Sequence, residues 1–349
     1  MQLDKIFRTA VEYKASDIYI TTGSHPVLRI NGDLISIQEH DVITNEDAKR
    51  YIYDTMSPDQ QKLFEENYEL DYALEITGVA RFRANAFRQR LGLAGVFRLI
   101  PSQIQTMDEL SLPQQMKRIP QFANGIVLLT GPTGSGKSTT LASIVHHINQ
   151  TERCHIITIE DPIEFVHDNK LSIIDQRELG SHTKTFANAL RSSLREDPDV
   201  ILLGEMRDTE TIALALTAAE TGHLVLGTLH TSGAAKSVDR IIDAFPPSQQ
   251  SQIRTQFSES LRAIVWQNLM KRKDGNGRVA AHEILFNNNA IANMIRKSKT
   301  YQIQSVLETS VGDGMQTMKR ALTGLVELGA ISEETAMEYM PQEAGDNQL

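Results

Sequence analysis

The chain has 349 residues, with 35 Lys plus Arg against 44 Asp plus Glu and a formal net charge of −9. Its 40% hydrophobic and 23% charged content excludes the disordered and membrane-spanning classes, and its length predicts about two domains. The single cysteine, Cys154, excludes an internal disulfide and a Cys-rich zinc site, so no structural zinc is expected and a reducing compartment fits.

Acids in the first turns and the lack of an apolar h-region argue against a signal peptide. No apolar stretch approaches the ~20 residues of a membrane span, and the expectation is a cytoplasmic protein. The excess of acids disfavours a general polyanion binder, so no nucleic-acid partner is expected.

Residues 1–100 read as a small mixed α/β domain. Leu3, Ile6, Phe7, Ala10 and Val11 have helical spacing, and residues 18–20 and 26–30 read as strands, with Asn31-Gly32 as a tight hairpin turn. Residues 47–53 and 58–67 read as helices, and residues 79–99 as strands. There Phe82, Ala84 and Ala86 alternate with Arg81, Arg83 and Asn85, placing apolar groups on one face and cations on the other. Residues 76–107 hold five arginines, Arg81, Arg83, Arg88, Arg90 and Arg98, and no acid. A solvated face is the plain reading; a surface for phosphate, presented to a neighbouring copy as arginine fingers, is the functional one.

Residues 101–121, with Pro101, Pro113 and Pro120, predict an interdomain linker. In residues 122–349 the pattern changes. Apolar runs at 126–129, 156–159, 200–203 and 224–226 alternate with helical segments at 139–149, 185–195 and 209–220, as in a parallel sheet covered on both faces. From about residue 248 the pattern reads as mostly helical, at 249–270, 290–298, 314–328 and 332–340, with a helical C-terminal region from about 290. The polar tail 342–349 reads as disordered.

The first apolar run leads into Gly131-Pro132-Thr133-Gly134-Ser135-Gly136-Lys137-Ser138-Thr139, a full phosphate-loop pattern in strand–loop–helix context. The glycines admit backbone N–H groups to the phosphates, and a helix N-terminus adds positive potential. Lys137 reaches the β- and γ-phosphates, and the Ser138 hydroxyl is a Mg²⁺ ligand. This makes ATP and Mg²⁺ the expected substrate and cofactor, with Gly131, Thr133, Gly134, Ser135, Gly136, Lys137, Ser138 and Thr139 binding nucleotide.

The other apolar runs also end in reactive residues: Glu160, Asp161 and Glu164; Glu205; and His230. In an open parallel sheet, ligands bind beyond the carboxyl ends of the strands, so these endings converge on one crevice. Glu205 is the candidate to position the attacking water or hold Mg²⁺ through water, against a solvated helix-start acid. Glu160 and Glu164 are further candidates to orient Mg²⁺ and water, against a role in capping the next turn. His230 is placed to sense the γ-phosphate. His223 lies roughly 20 Å away along an extended strand, so the two cannot share an ion, and a structural or interface role suits it better. Asp199 precedes its strand and is given no catalytic role.

The phosphate loop, the acidic box 159–164, the segment 194–208 and the histidine box 222–231 together resemble the secretion ATPase superfamily. They are most similar to its branch of type IV pilus retraction ATPases, over nearly the whole chain. The resemblance implies a PAS-like α+β N-terminal domain and a RecA-like P-loop ATPase domain with a parallel sheet and C-terminal helices, nucleotide lying between them. It implies a homo-hexameric motor at the cytoplasmic face of the inner membrane, at the pilus base, working on a pilus platform protein and with a paralogous retraction ATPase. Glu205 matches the family's catalytic glutamate, Glu160 and Glu164 its acidic box, and Arg83 and Arg98 the arginines that complete the site. Alternatives are an accessory retraction ATPase, a low-activity nucleotide-dependent regulatory module and, less favoured, a RecA-like nucleic-acid translocase. One departure is the segment 290–297, where Ala292 and Lys297 replace an arginine and an acid of the family pattern and put the retraction-coupling contact in question.

Overall fold

The computed structural model describes residues 2–30, 32–100 and 103–341. The expectations for Asn31, for Pro101 and for the tail 342–349 lie outside them. The chain divides into two units, Met1–Gln103 with Pro162–Val166, and Ile104–Asp161 with His167–Leu349. Among the described residues no helix is long and apolar enough to cross a membrane.

In the first unit the elements run α1 (Gln2–Glu12), β1 (Asp17–Thr21), β2 (Val27–Ile30), β3 (Asp33–Ser36), α2 (Asn45–Tyr53), α3 (Pro58–Asn67), β4 (Glu69–Ile76), β5 (Ala80–Gln89) and β6 (Gly92–Ile100). The strands form an antiparallel sheet in the order β3-β2-β1-β6-β5-β4. Thr44 starts α2 by accepting from the Asp47 N–H, and Ser57 with Gln60 forms a reciprocal capping box ahead of Pro58 in α3. Phe82, Ala84 and Ala86 are fully buried, as their alternation predicts, and the Phe7 ring packs 4.6 Å from Phe82 and 5.1 Å from Phe97, centroid to centroid.

The second unit contains β7 (Gly125–Thr130), α4 (Lys137–Thr151), β8 (His155–Glu160), β9 (Ile173–Glu178), α5 (Phe186–Ser193), β10 (Val200–Leu203), α6 (Thr209–Glu220) and β11 (Leu224–Leu229). It continues with α7 (Ala234–Asp243), α8 (Pro247–Ser260), β12 (Leu261–Lys271), β13 (Arg278–Phe286), α9 (Asn289–Arg296), α10 (Ile303–Thr309), α11 (Met318–Glu327) and α12 (Glu333–Glu338). The seven strands run β13-β12-β7-β11-β10-β8-β9, all parallel except β13. Ile126, Val127, Leu128 and Leu129 of central β7 are fully buried, which is why the strand reads as an uninterrupted apolar run.

Besides β4, α7 and β13, to which the sequence pattern assigns no element, three regions differ from the sequence expectation. The predicted helix 249–270 is helical only to Ser260, where Leu261 turns extended and β12 begins. Its run of Ile264, Val265 and Trp266 has β-branched and aromatic side chains, and it pairs with β7 on one edge and β13 on the other, so two ladders outweigh the local helical spacing. The pairing with β7 carries a register shift between Leu261 and Ala263, a bulge at Arg262. Edge strand β9 was not anticipated, because Asp175, Gln176, Arg177 and Glu178 interrupt any apolar signal. The stretch expected to link the domains carries a 3₁₀ helix, Gln114–Gln121, and Met107, Leu112, Met116 and Ile119 are buried in the core of the second unit.

Candidate nucleotide site

The phosphate loop joins β7 to α4. Gly131, Gly134 and Gly136 all have positive φ, and Gly136 is the left-handed N-cap of α4. The space beside Gly134 is open, whereas a Cβ at Gly131 would stand 2.3 Å from the Gln267 carbonyl oxygen. Lys137 is buried and its Nζ donates to the Gly131 and Pro132 carbonyls at 2.8 and 3.0 Å, which lays the ammonium along the inner side of the loop. Thr133 and Gly134 are exposed at its crest, while Ser138 and Thr139 are half-buried in the first turn of α4.

The strand ends are zipped together beyond their last paired residues. Gly204 N–H donates to the Ile159 carbonyl at 2.8 Å, Met206 N–H to the Thr228 carbonyl at 3.1 Å, and the Thr228 hydroxyl to the Gly204 carbonyl. Gly204 permits this because a Cβ there would sit 3.2 Å from the Glu160 Cα. Glu160, Glu205 and His230 thus leave neighbouring strands at the same, carboxyl, edge as the phosphate loop.

Glu205 is one-fifth exposed and bonded on both oxygens, to Arg207 Nη2 at 2.6 Å and His230 Nε2 at 3.3 Å. Arg207 also approaches Asp161 at 3.8 Å. Burial pushes the Glu205 carboxyl up, but the Arg207 hydrogen bond and the His230 and Arg207 charges outweigh it and hold the group below the usual glutamate range. Glu160 accepts from the Thr158 hydroxyl at 2.7 Å and from Gln176 at 3.4 Å, the latter on unanticipated β9.

Glu164 is exposed in the segment Pro162–Val166, counted with the first unit. In that unit Arg83 and Arg98 are direct cross-strand partners. Arg98 Nε bonds buried Asp17 at 2.9 Å, which offsets the repulsion between the two cations. Away from the site, Asp199 accepts from the His155 N–H, and the His223 Nδ1–H donates to the Ala218 carbonyl at 2.9 Å, both binding chain segments to each other.

Sequence reasoning missed two groups on the β12–β13 hairpin. On one face Gln267, bonded to its cross-strand partner His282, reaches the phosphate loop: Gln267 Nε2 donates to the Ser135 carbonyl at 2.7 Å and Oε1 accepts from Thr140 at 2.9 Å. On the opposite face the Glu283 carboxylate accepts from Ala234 N–H at 2.9 Å and Met318 N–H at 3.4 Å, capping α7 and α11 together. Burial raises the affinity of Glu283 for its proton, while the two N–H groups oppose that shift. The buried polar run Gln267, Asn268, His282 and Glu283 inside an otherwise apolar stretch was the available signal, hidden by the helical reading.

The donor set fits Mg²⁺. The Ser138 hydroxyl and the carboxylates of Glu160 and Glu205 are hard oxygen donors at one sheet edge, and buried Ser135 Oγ has no hydrogen-bond partner among the described residues. Among the described residues no three His, Cys, Asp or Glu side chains group as a metal cage.

Residues 1–344 match the family model described as Type II/IV secretion system protein. The chain is 54% identical to a twitching motility protein of Neisseria gonorrhoeae, covering 93% of this chain and 88% of that one. It is 49% identical to the type IV pilus retraction ATPase PilT of Pseudomonas aeruginosa, covering 97% and 98%. A crystal structure of the pilus retraction motor PilT with bound ADP superposes with a TM-score of 0.92 at 46% identity, over 97% of each chain. With a phosphate loop, strand-end acids and a histidine box at one edge of its parallel sheet, this chain belongs to the Type II/IV secretion system protein family.

Proposed function

We infer that this chain is an ATP-hydrolysing motor that powers type IV pilus retraction. The observation that carries the reading is the Glu205 carboxylate, kept ionised at the strand edge that bears the phosphate loop, in a chain similar over its length to an ADP-bound retraction motor. Backbone N–H groups of residues 134–137 and the dipole of α4 bind the β-phosphate, and Lys137 exchanges its loop carbonyls for phosphate oxygens. Mg²⁺, held by Ser138 and, through water, by Glu160 and Glu205, would neutralise charge on the β- and γ-phosphates. Glu205 orients the attacking water and accepts its proton. His230, bonded to Glu205, reports the γ-phosphate to the loop that starts α7.

The motor is proposed to be a homo-hexamer, with Arg83 and Arg98 of a neighbouring copy supplying positive charge to the γ-phosphate. Arg98's pairing with Asp17 leaves Arg83 the more available of the two, since Arg83 makes no ion pair among the described residues. The proposed site of action is the cytoplasmic side of the inner membrane, on a pilus platform protein, with a paralogous ATPase as an assisting partner. The test is complementation of cells lacking this protein. Wild type should restore pilus retraction and Lys137→Ala should not, while purified wild type hydrolyses MgATP as a six-copy ring that Arg83→Ala assembles but does not fire. Normal retraction in the null cells, or in cells carrying only Lys137→Ala, would sink the reading.

A further inference from the structure

We propose that Gln267, fixed in orientation by His282, is a positioning residue that sets the geometry of the phosphate loop and thereby the affinity for nucleotide. This rests on the reading of that loop as the ATP site.

The hydrogen-bond logic admits one arrangement. A main-chain carbonyl only accepts, so the end of the Gln267 amide 2.7 Å from the Ser135 carbonyl is the NH₂ group. The amide oxygen therefore faces Thr140 Oγ1 at 2.9 Å and His282 Nε2 at 3.2 Å. Because that oxygen only accepts, His282 carries its proton on Nε2. Burial holds the ring neutral, pushing its pKa down to about 4, so this proton is the one it has. A chain of donors thus runs from β13 through β12 to the loop, with no member free to flip.

The loop also packs on this residue at two points. An added Cβ would meet the Gln267 carbonyl oxygen at Gly131, at 2.3 Å, and Gln267 Nε2 at Gly136, at 2.9 Å. The first and last glycines of the loop are therefore required by contact with Gln267 as well as by their positive φ. Gln267 is 2% exposed and His282 likewise, in a strand where an apolar pair would fill the space without the penalty of burying an amide and an imidazole. What the polar pair adds is direction. It fixes the Ser135 carbonyl, and with it the peptide units of the loop, and a misplacement of about 1 Å among groups that bind a ligand weakens binding steeply.

The Gln267 side chain bonds Ser135, Thr140 and His282 and is not among the partners of Glu205, so its loss should appear in affinity more than in turnover. Gln267→Leu is expected to raise the KM for MgATP and the Kd for ADP about tenfold or more while kcat changes less than about threefold. Thr140→Val should move affinity the same way by a few-fold. His282→Phe should follow Gln267→Leu, and His282→Gln, which retains an amide donor, should restore affinity to within about twofold of wild type. Thr140→Val preserves side-chain shape and carries the test if the Leu variant does not fold. Unchanged affinity in these variants, whatever happens to their melting temperature, overturns the proposal, as does a fall in kcat with affinity intact. Failure of the wild type itself to bind or hydrolyse ATP overturns the nucleotide reading on which the proposal rests.

Discussion

Where β12 and β13 back the phosphate loop, the supporting side chains are neutral and sealed: Gln267, Thr140 and His282 are buried, Thr140 and His282 both bond the Gln267 amide oxygen, and the Gln267 NH₂ bonds Ser135. At the strand ends the support is ionic and half in water, Arg207 and His230 flanking Glu205 with two-thirds and two-fifths of their side chains exposed. Neutral bonds in a dry interior are insensitive to salt and, near neutrality, to pH, whereas exposed charges are screened and their geometry is easily exchanged. Binding phosphate calls for the first kind of support. In the proposed function the corner at Glu205 and His230 distinguishes ATP from ADP and passes that difference on, which calls for the second.

The sharpest way to separate the two regions is Glu205→Gln, which keeps shape and removes the proton acceptor. Turnover should fall on the order of 10³-fold or more, with ADP affinity within about threefold of wild type. Steady-state kinetics beside a binding titration decides it, and turnover within tenfold of wild type would remove Glu205 from the role of base.

The neutrality of the loop support has its own signature. His282 and His167 are both pushed down to about 4 by burial, below the usual histidine value of about 6.5. Between those values the unfolded chain binds protons that the folded chain refuses, so stability falls as pH drops from about 6.5 toward about 4. The limit is about 3 kcal/mol for His282. Urea unfolding at pH 7.5 and pH 5 should show a smaller acid loss for His282→Gln than for wild type, and equal losses would contradict a neutral buried ring.

The smallest expected effect belongs to Arg207→Ala. Removing the 2.6 Å partner takes away the hydrogen bond and charge that outweigh burial at Glu205, so its carboxyl should hold the proton to higher pH. The acid limb of kcat should move upward, with kcat at pH 8 within roughly tenfold of wild type and with less dependence on ionic strength. An unmoved acid limb would mean that the pair does not control this titration.

What could be read in advance follows from how far apart in the chain each feature's parts lie. The phosphate loop is nine consecutive residues between a strand and a helix, and β7, β8, β10 and β11 are apolar runs because both their faces are covered. Glu205 and His230 were legible because each directly follows such a run. Gln267 was not, since its partners Ser135 and Thr140 lie more than a hundred residues away and its own segment has helical spacing that only pairing with β7 and β13 overrides. Asp17 likewise meets Arg98 only through the β1–β6 register.

That register logic has a sharper form at Arg262. The bulge inserts one residue between Leu261 and Ala263, and Arg262 is tied there to Asn124 at 2.6 Å and to the Glu259 carbonyl at 2.8 Å. Side chains on a strand alternate, and the bulge takes up Arg262 as the extra residue, so that Leu261 and Ala263 face the consecutive residues Ile126 and Val127. Deleting Arg262 would leave those pairings, and with them the faces of Trp266 and Gln267, in place, whereas one residue inserted between Ala263 and Trp266 would turn the indole toward the phosphate loop and the Gln267 amide away from it. Nucleotide binding should therefore survive the loss of Arg262 better than a one-residue insertion a few positions farther along the strand.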